Sequence, residues 1–257
     1  MCVNSLSKEF KKKWYKRLFS SISKKNQLDK KQQFSLSDIS FSVEEGSILG
    51  IVGSNGAGKS TLFKLLLNSL HKDSGEVIML GVDNASKEFI NVKENIGIIY
   101  DSLSIPGYLT ANMIDKILSD IYRTWDSEKY KNLLMEFSIP VDKPHRALSR
   151  GNKMKLGFAI AFAHDTKILL LDEATSGIDP ILRNKILELL IDFKNQGGTV
   201  IISSHVLVEL EKICDEIIFI NNGKMILKDS LYNIQQGKYD ETKIEDLFIR
   251  LIQEDVA

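Results

Sequence analysis

Residues 53–61 have the residue types and the spacing of a phosphate-binding loop, G-x-x-x-x-G-K-[ST]. The loop consists of Gly53, Ser54, Asn55, Gly56, Ala57, Gly58, Lys59, Ser60 and Thr61. Glycines let backbone N–H groups approach a phosphate chain closely. Lys59 can reach the β- and γ-phosphates, and the hydroxyl of Ser60 can bind Mg²⁺. The pattern therefore predicts a nucleotide-binding site.

The residues around the loop predict the strand and the helix that such a loop needs. An apolar run of strand type, 47–52, precedes it, and an apolar run of helical type, 62–67, follows it. The start of that helix would add unpaired backbone donors and the positive end of its dipole to the phosphate site. We therefore expect a strand, a glycine loop and a helix in this order.

Two later apolar strands are predicted to end in side chains that suit nucleotide hydrolysis. Residues 168–171 lead into Asp172 and Glu173, and residues 199–204 lead into His205. Ligands of α/β sheets bind outside the carboxyl ends of the strands, so these side chains should meet the loop there. Asp172 would hold Mg²⁺, Glu173 would orient or deprotonate the attacking water, and His205 would contact the γ-phosphate or that water. The alternative interpretation is that they are solvated polar caps.

The segment 148–152 reads Leu-Ser-Arg-Gly-Asn and stands at the start of a helix predicted over 149–165. Ser149 could cap this helix, and Gly151 would leave bare backbone at its start, which would be a second anion site. A capping turn without a ligand would use the same residues. The five residues alone do not decide between the two interpretations.

Apolar periodicity predicts an α/β protein with a helical insertion. Short apolar strands alternate with helices over 167–220, and this alternation implies a parallel sheet covered on both faces. Residues 34–100 are rich in predicted strands around one helix, whereas 110–137 has apolar residues at helical spacing. A hairpin turn is predicted at 221–223 and a last helix at 243–253.

The composition excludes several classes of protein. The chain has 257 residues, 43% of them hydrophobic and 26% charged, as expected of an ordinary soluble globular protein. Lys plus Arg and Asp plus Glu both number 34, which is no global signature of nucleic-acid binding. The cysteines, Cys2 and Cys214, are too few for a zinc spacing and are expected to be reduced thiols. We expect neither a signal peptide nor a membrane span.

Positive charge is concentrated in residues 1–33. This segment holds ten Lys and Arg residues against Glu9 and Asp29, so its net charge is +8 and that of the remainder is −8. We interpret it as a basic N-terminal extension. It could be a solvated tail, a contact with anionic lipid headgroups, or an RNA-binding arm.

Taken together and in this order, the motifs resemble those of the ATP-binding subunits of ABC transporters. The resemblance extends over about residues 34–230. Residues 148–152 resemble the signature LSGGQ, 168–173 resemble Walker B with its catalytic Glu, and 176–179 resemble the D-loop. His205 resembles the switch histidine, and 222–224 resemble the C-terminal hairpin.

This resemblance implies a fold, a set of ligands and a mode of assembly. The implied fold is α/β: a P-loop NTPase core with a parallel sheet, an antiparallel β subdomain and a helical subdomain around 102–165. The chain would divide into the extension 1–33, an ABC ATPase domain 34–230 and a C-terminal helical segment 231–257. ATP and Mg²⁺ are the implied ligands. In the implied head-to-tail dimer, ATP on one subunit's phosphate loop meets Ser149 and Gly151 of the other.

The chain departs from the family pattern at several positions. The usual Gln after the strand 95–100 is Asp101, a candidate Mg²⁺ ligand whose charge would also repel phosphate oxygens. Arg150 replaces a Gly and Asn152 a Gln of the signature, and Ala174 stands where Pro is common. This variation resembles the bacterial exporter-type subunits that handle antibiotics, peptides or polysaccharides.

The family also implies an aromatic side chain near the N-terminus that stacks on adenine. Phe10 is the first candidate for this role, followed by Trp14 and Tyr15. Stacking on an aromatic ring would hold the base while the loop holds the phosphates.

The expected function is that of an ATP-binding and ATP-hydrolysing subunit that powers a separate transmembrane permease. It would lie at the cytoplasmic face of the cell membrane and pair with an identical or closely paralogous ATPase subunit, without nucleic acid. One alternative is a soluble ABC ATPase acting as an assembly or ribosome-associated factor. A nucleotide-gated translation factor or RNA-binding module is disfavoured, because such factors usually carry two cassettes and this chain has one phosphate loop.

Overall fold

A computed structural model describes residues 1–10, 34–100, 105–175 and 177–256 of the chain. Most of the basic segment, 11–33, lies outside the described residues, and so do the candidate metal ligand Asp101 and Ser176 of the predicted D-loop. The fold is built from two β-sheets and a set of helices packed on them.

The strands over the described residues form a four-stranded sheet and a six-stranded sheet. In chain order they are β1 (Cys2–Glu9), β2 (Ser35–Ser42), β3 (Ile48–Gly53), β4 (Ser74–Met79), β5 (Val82–Asp83), β6 (Ile96–Tyr100), β7 (Ile168–Asp172), β8 (Thr199–Ser203), β9 (Glu216–Asn221) and β10 (Lys224–Ser230). The smaller sheet has the order β2-β1-β4-β5 and is antiparallel. The larger has the order β10-β9-β3-β8-β7-β6, in which only the β10–β9 pair is antiparallel.

The helices are distributed along the chain between these strands. They are α1 (Lys59–Leu66), α2 (Phe89–Lys93), α3 (Ala111–Ile121), α4 (Ser127–Glu136), α5 (Arg150–Phe162), α6 (Pro180–Asn195), α7 (Leu207–Ile213), α8 (Leu231–Gln235) and α9 (Ile244–Val256). Three of them, α3 to α5, lie in sequence between β6 and β7, where the helical insertion was predicted. Of the described helices, none is long and apolar enough to cross a bilayer.

The larger sheet is covered on both faces, which explains why its strands are almost continuously apolar. Every residue of β3, β7 and β8 is buried. Successive side chains of a strand point to opposite faces. Leu169 accordingly packs in the same core cluster as Phe158 of α5, whereas Leu170 packs in the cluster that contains Phe63 of α1 and Leu36 of the antiparallel sheet. The predicted fold class, an α/β core with an antiparallel β subdomain, is confirmed.

The N-terminal strand differs from the sequence-based expectation. Residues 1–33 were predicted to be an extension, whereas Cys2–Glu9 lies between β2 and β4 and buries Val3 and Leu6. The pairing register shifts between Val3 and Leu6, and Ser5 has a positive φ of 45°. Such a bulge breaks the two-residue alternation by which a strand is recognised in a sequence.

The C-terminal helices pack on the core. Ile244 and Leu247 of α9 are fully buried, and the ring of Phe248 stacks on that of Phe219 with centroids 6.1 Å apart. The backbone N–H of Ile244 donates to the carboxylate of Glu211, which ties α9 to α7. The C-terminal segment is therefore anchored to the core through its last helix, α9.

Candidate functional site

The phosphate-binding loop connects β3 to α1, as the sequence predicts. Gly53 ends β3, and Gly58 precedes α1 with a φ of 115°, which is accessible to glycine and strained for other residues. A Cβ atom at Gly53 would lie 2.6 Å from the carbonyl oxygen of Ile220 on the neighbouring strand. Glycine is thus required at these two positions for conformation and for space.

Lys59 is held in place by the loop that surrounds it. Its Nζ donates to the carbonyl oxygens of Gly53, at 2.7 Å, and of Ser54, at 3.2 Å. The same Nζ lies 3.4 Å from Oε1 of Glu173, and the side chain is only 5% exposed. The ammonium group is therefore positioned above the loop, where a phosphate would compete with the Glu173 carboxylate for it.

A cleft of about 970 Å³ brings the loop together with the ends of the neighbouring strands. This volume suits a ligand of nucleotide size. Of the loop residues, all but Gly53, Ser54 and Ala57 line the cleft. The cleft is lined by Phe34, Asn55, Gly56, Gly58, Lys59, Ser60, Thr61, Lys64, Ser69, Tyr100, Asp172 and Glu173.

Ser203 of β8 holds the Asp172 carboxylate and the backbone of Glu173 at the end of β7. Asp172 and Ser203 are paired in the parallel ladder, and the Ser203 hydroxyl donates to Oδ1 of Asp172 at 2.7 Å. The backbone N–H of Glu173 donates to the Ser203 carbonyl at 3.0 Å and to its hydroxyl at 3.1 Å. These bonds support Glu173 in a left-handed conformation with a φ of 51°. Sequence analysis missed Ser203, whose signal is a polar residue at the end of an apolar strand that reaches the ligand edge.

The Glu173 side chain stands between two basic groups that the sequence predicted for the same site. One oxygen lies 3.4 Å from Nζ of Lys59, and the other lies 3.6 Å from Nδ1 of His205. The His205 side chain is 51% exposed, so a ligand can reach it. Lys59 and Glu173 line the cleft, whereas His205 does not line it and reaches the site through Glu173. A water molecule beside the Glu173 carboxylate could be oriented there and could transfer a proton.

Tyr100 is a second residue that sequence analysis missed. It ends β6, is paired with Asp172 in the ladder and lines the cleft. Burial, together with the negative charge of Asp172, raises the pKa of the Tyr100 hydroxyl. The hydroxyl therefore remains protonated at neutral pH and can donate a hydrogen bond. Its sequence signal is its place at the end of a strand that reaches the ligand edge.

The described residues fit a Mg²⁺ site that the substrate completes. Within the described part of the chain, no three His, Cys, Asp or Glu side chains are grouped as a ready-made metal site. Mg²⁺ in such proteins keeps several waters and takes one or two carboxylates together with phosphate oxygens. Asp172 and the hydroxyl of Ser60, which both line the cleft, supply the donors that this arrangement requires.

Ser149 and Gly151 are not part of this cleft. Ser149 is exposed and caps α5, since its hydroxyl accepts from the backbone N–H of Asn152 at 3.2 Å. Gly151 lies in the first turn of the same helix, and a Cβ added to it would lie 3.2 Å from a methyl group of Leu182. A phosphate bound to the loop of the same chain would therefore not meet these two residues.

The structure places Phe34, rather than Phe10, on the wall of the cleft. The tip of the Phe34 ring would lie 2.9 Å from a Cβ added to Gly58, so this ring packs directly on the loop. Phe10 packs on Phe34 instead, with ring centroids 6.0 Å apart. The two residues are far apart in sequence and adjacent in space, because the ladder of β1 and β2 continues to them.

We expect Phe34→Ala to weaken ATP binding by about 5- to 150-fold, since stacking contributes about 1–3 kcal/mol per base. Phe10→Ala, the matched control, should have a smaller effect because its ring reaches the cleft only through Phe34. Isothermal titration with ATP and with inorganic triphosphate separates base contacts from phosphate contacts. Equal losses for the two ligands would mean that Phe34 supports the loop and does not contact the base.

Comparisons with known proteins agree on one family. The family model described as "ABC transporter" matches residues 36–176. The ABC transporter ATP-binding protein YtrB of Bacillus subtilis is 34% identical over 216 residues, which are 83% of this chain and 72% of the relative. The lantibiotic transport ATP-binding protein SrtF of Streptococcus pyogenes is 33% identical over 215 residues, which are 83% and 89% of the two chains. A solved structure of an ATP-binding subunit of an ABC transporter superposes with a TM-score of 0.81 at 23% identity, over 98% of both chains.

Proposed function

Since this chain belongs to the ABC transporter family and is an ATP-binding subunit with an ATPase fold, we propose that it hydrolyses ATP in the cleft described above to power a separate membrane permease. The observation that carries the proposal is the position of Glu173 between Lys59 and His205 at the edge of the phosphate-binding loop. Nucleophilic attack by water on a bound γ-phosphate requires such an arrangement of a cation, a base and a polar donor.

Each side chain has a distinct part in this proposal. The loop N–H groups and Lys59 bind the β- and γ-phosphates, and the Lys59 charge stabilises the negative charge that develops in the transition state. Glu173, released from Lys59 by the phosphate, orients the attacking water and accepts its proton. His205 donates to the γ-phosphate or holds the water. Mg²⁺ held by Ser60 and Asp172 would neutralise charge on the phosphate oxygens.

We further propose that two such subunits form a head-to-tail dimer. ATPases of this family work as dimers with a transmembrane permease partner. The exposed hydroxyl of Ser149 and the bare backbone of Gly151 lie outside the cleft of their own chain, which supports a role on the nucleotide of the second subunit. That subunit is either identical or a close paralogue.

The class of cargo is proposed from the relatives and from the signature. SrtF is named for lantibiotic transport, and the departures at Arg150 and Asn152 resemble exporter-type subunits. We therefore propose export of an antibiotic, a peptide or a polysaccharide, by a subunit bound peripherally at the cytoplasmic face of the membrane.

The division of the chain into residues 1–33, 34–230 and 231–257 remains a prediction. Its first boundary needs one change, because β1 belongs to the antiparallel sheet and not to a separate extension.

The experiment that tests this function reconstitutes the chain with a permease. The chain is expressed with a candidate polytopic permease, such as one encoded by a neighbouring reading frame, and the two are incorporated into lipid vesicles. We expect the chain to bind the vesicles only when the permease is present, and Mg²⁺-dependent ATP hydrolysis on the vesicles to require both proteins. The Glu173→Gln variant, as control, should bind equally and not hydrolyse. Hydrolysis at the full rate without vesicle binding would favour the alternative of a soluble ABC ATPase.

A further inference from the structure

A buried carboxylate outside the cleft, Glu209 of α7, is bound from three directions. Its side chain is only 4% exposed. One oxygen accepts from the Thr175 hydroxyl at 2.5 Å and from the Ser204 hydroxyl at 3.5 Å. The other oxygen lies 2.7 Å from Nε of Arg183 on α6. None of these four residues belongs to the phosphate-binding loop or is one of the strand-end carboxylates Asp172 and Glu173.

The partners of Glu209 lie beside the residues proposed for hydrolysis. Thr175 is fully buried and follows Glu173 by two residues. Ser204 immediately precedes His205, and its hydroxyl also accepts from the backbone N–H of Val206, which follows His205, at 3.0 Å. One carboxylate group therefore holds the turn that leaves Glu173 and the turn that carries His205.

Arg183 extends the connection to the segment between β7 and α6. Its Nη2 donates to the carbonyl oxygen of Ile178 at 3.3 Å, and its backbone N–H donates to the carbonyl oxygen of Asp179 at 3.0 Å. Residues 176–179 are those that resemble the D-loop. The Glu209–Arg183 pair thus connects Ile178, Asp179 and α6 to the His205 turn.

The electrostatics make these contacts mutually dependent. A buried carboxylate is tolerated only when it is paired with an opposite charge and hydrogen-bonded. Displacing either turn would remove hydroxyl donors from Glu209, and displacing α6 would leave its charge without a counter-ion. The three segments are therefore expected to keep one relative position, or to move together.

We infer that Glu209 is a positioning residue that sets the position of Glu173 relative to His205 and couples both to Ile178 and Asp179. The inference rests on the proposed function, because it assigns Glu209 an effect on hydrolysis through those two side chains. Glu209 lies outside the nucleotide cleft, so ATP binding itself should not depend on it. Its effect should therefore be on kcat and not on KM.

The test compares Glu209→Gln with Asp115→Asn. Asp115 of α3 is a matched control: it is a buried carboxylate that accepts from Ser127 and from Trp125 and lies 3.5 Å from a lysine, but it is outside the nucleotide cleft. Both variants keep the shape of the side chain and remove its charge. We expect Glu209→Gln to lower kcat by about 10- to 100-fold, since a displacement of about 1 Å can cost about 100-fold. Asp115→Asn should leave kcat unchanged.

Thr175→Val gives a second measurement that removes only one hydroxyl group. If Thr175 and Glu209 act through their shared contact, the double variant should lose no more kcat than Glu209→Gln alone, because coupled residues are non-additive. Should Glu209→Gln fail to fold, Thr175→Val and Ser204→Ala, each of which keeps the Glu209–Arg183 pair, carry the same prediction of a lower kcat with unchanged KM. Thermal unfolding of every variant accompanies the kinetics.

Two outcomes would overturn the inference. One is a kcat of Glu209→Gln that falls no further than that of Asp115→Asn at a similar loss of thermal stability. The other is a loss that appears in KM for ATP and not in kcat. Failure of the proposed function would look different, because wild-type protein would then not hydrolyse ATP or would do so undiminished by Glu173→Gln.

Discussion

Glu173→Gln is expected to slow ATP hydrolysis by about 100- to 10,000-fold, the range that a positioned general base contributes. The variant should still bind ATP, because the loop and Lys59 that contact the phosphates are unchanged. Gln has nearly the same shape but cannot accept a proton from water. Loss of the negative charge of Glu173 also removes the carboxylate that lies 3.4 Å from Nζ of Lys59 and competes with phosphate for it. ATP should therefore accumulate on the protein and hold two subunits together.

Three measurements check this prediction. Phosphate release in a single turnover gives the chemical rate, equilibrium binding gives the affinity for ATP, and size-exclusion chromatography with ATP and Mg²⁺ detects the dimer. Glu94→Gln is a matched control, since Glu94 is also part-buried and pairs with a basic residue, Arg123, at 3.0 Å. Near wild-type turnover of the purified Glu173→Gln variant would exclude Glu173 as the base.

Lys59→Ala should abolish measurable turnover and weaken ATP binding. The substitution removes the one cation of the loop, which the carbonyl oxygens of Gly53 and Ser54 hold in place. Loss of a preorganised group that stabilises charge in a transition state costs about 100- to 1,000-fold in kcat. The loss of phosphate affinity adds to this in kcat/KM.

Lys228→Ala controls for the general effect of removing a lysine that is bonded to a carbonyl and paired with a glutamate, although Lys228 is less buried than Lys59, with 21% of its side chain exposed. Nζ of Lys228 also donates to a backbone carbonyl, that of Ser42 at 2.9 Å, and also pairs with a glutamate, Glu216 at 2.8 Å. This variant should hydrolyse ATP normally. ATP titration and steady-state hydrolysis are compared for the two variants, and an undiminished affinity with normal hydrolysis in Lys59→Ala would contradict its proposed role.

Local sequence was sufficient to predict most of the strands and helices. The strand before the loop, the helix after it and the later strands ending at Asp172 and Ser203 have continuous apolar runs and polar ends. A continuous apolar run indicates a strand that is buried on both faces of a parallel sheet. Such a run can be recognised from a short stretch of sequence. The strand Cys2–Glu9 was missed because a bulge at Ser5 interrupts its alternation and only two of its side chains are buried.

For the candidate site, too, the residues that could be predicted are those that a local motif identifies. Lys59, Asp172, Glu173 and His205 could be predicted because a motif with fixed spacing, together with the rule for strand ends, determines where they lie. Ser149 and Gly151 were also predicted by motif, and their proposed ligand belongs to a second subunit. Asp101, also predicted, lies outside the described residues.

The sequence by itself determined the family, the phosphate-binding loop and the carboxylates at the strand end, since each depends on residues close together in the chain. Only the tertiary structure showed that Phe34 lines the cleft, that Ser203 holds the Asp172 carboxylate and the Glu173 backbone, and that Glu209 binds both Thr175 and Arg183. These contacts join residues that are 24 to 34 positions apart, or belong to different strands and helices. Spacing along the chain carries no signal for such pairs, because the packing of whole elements brings them together.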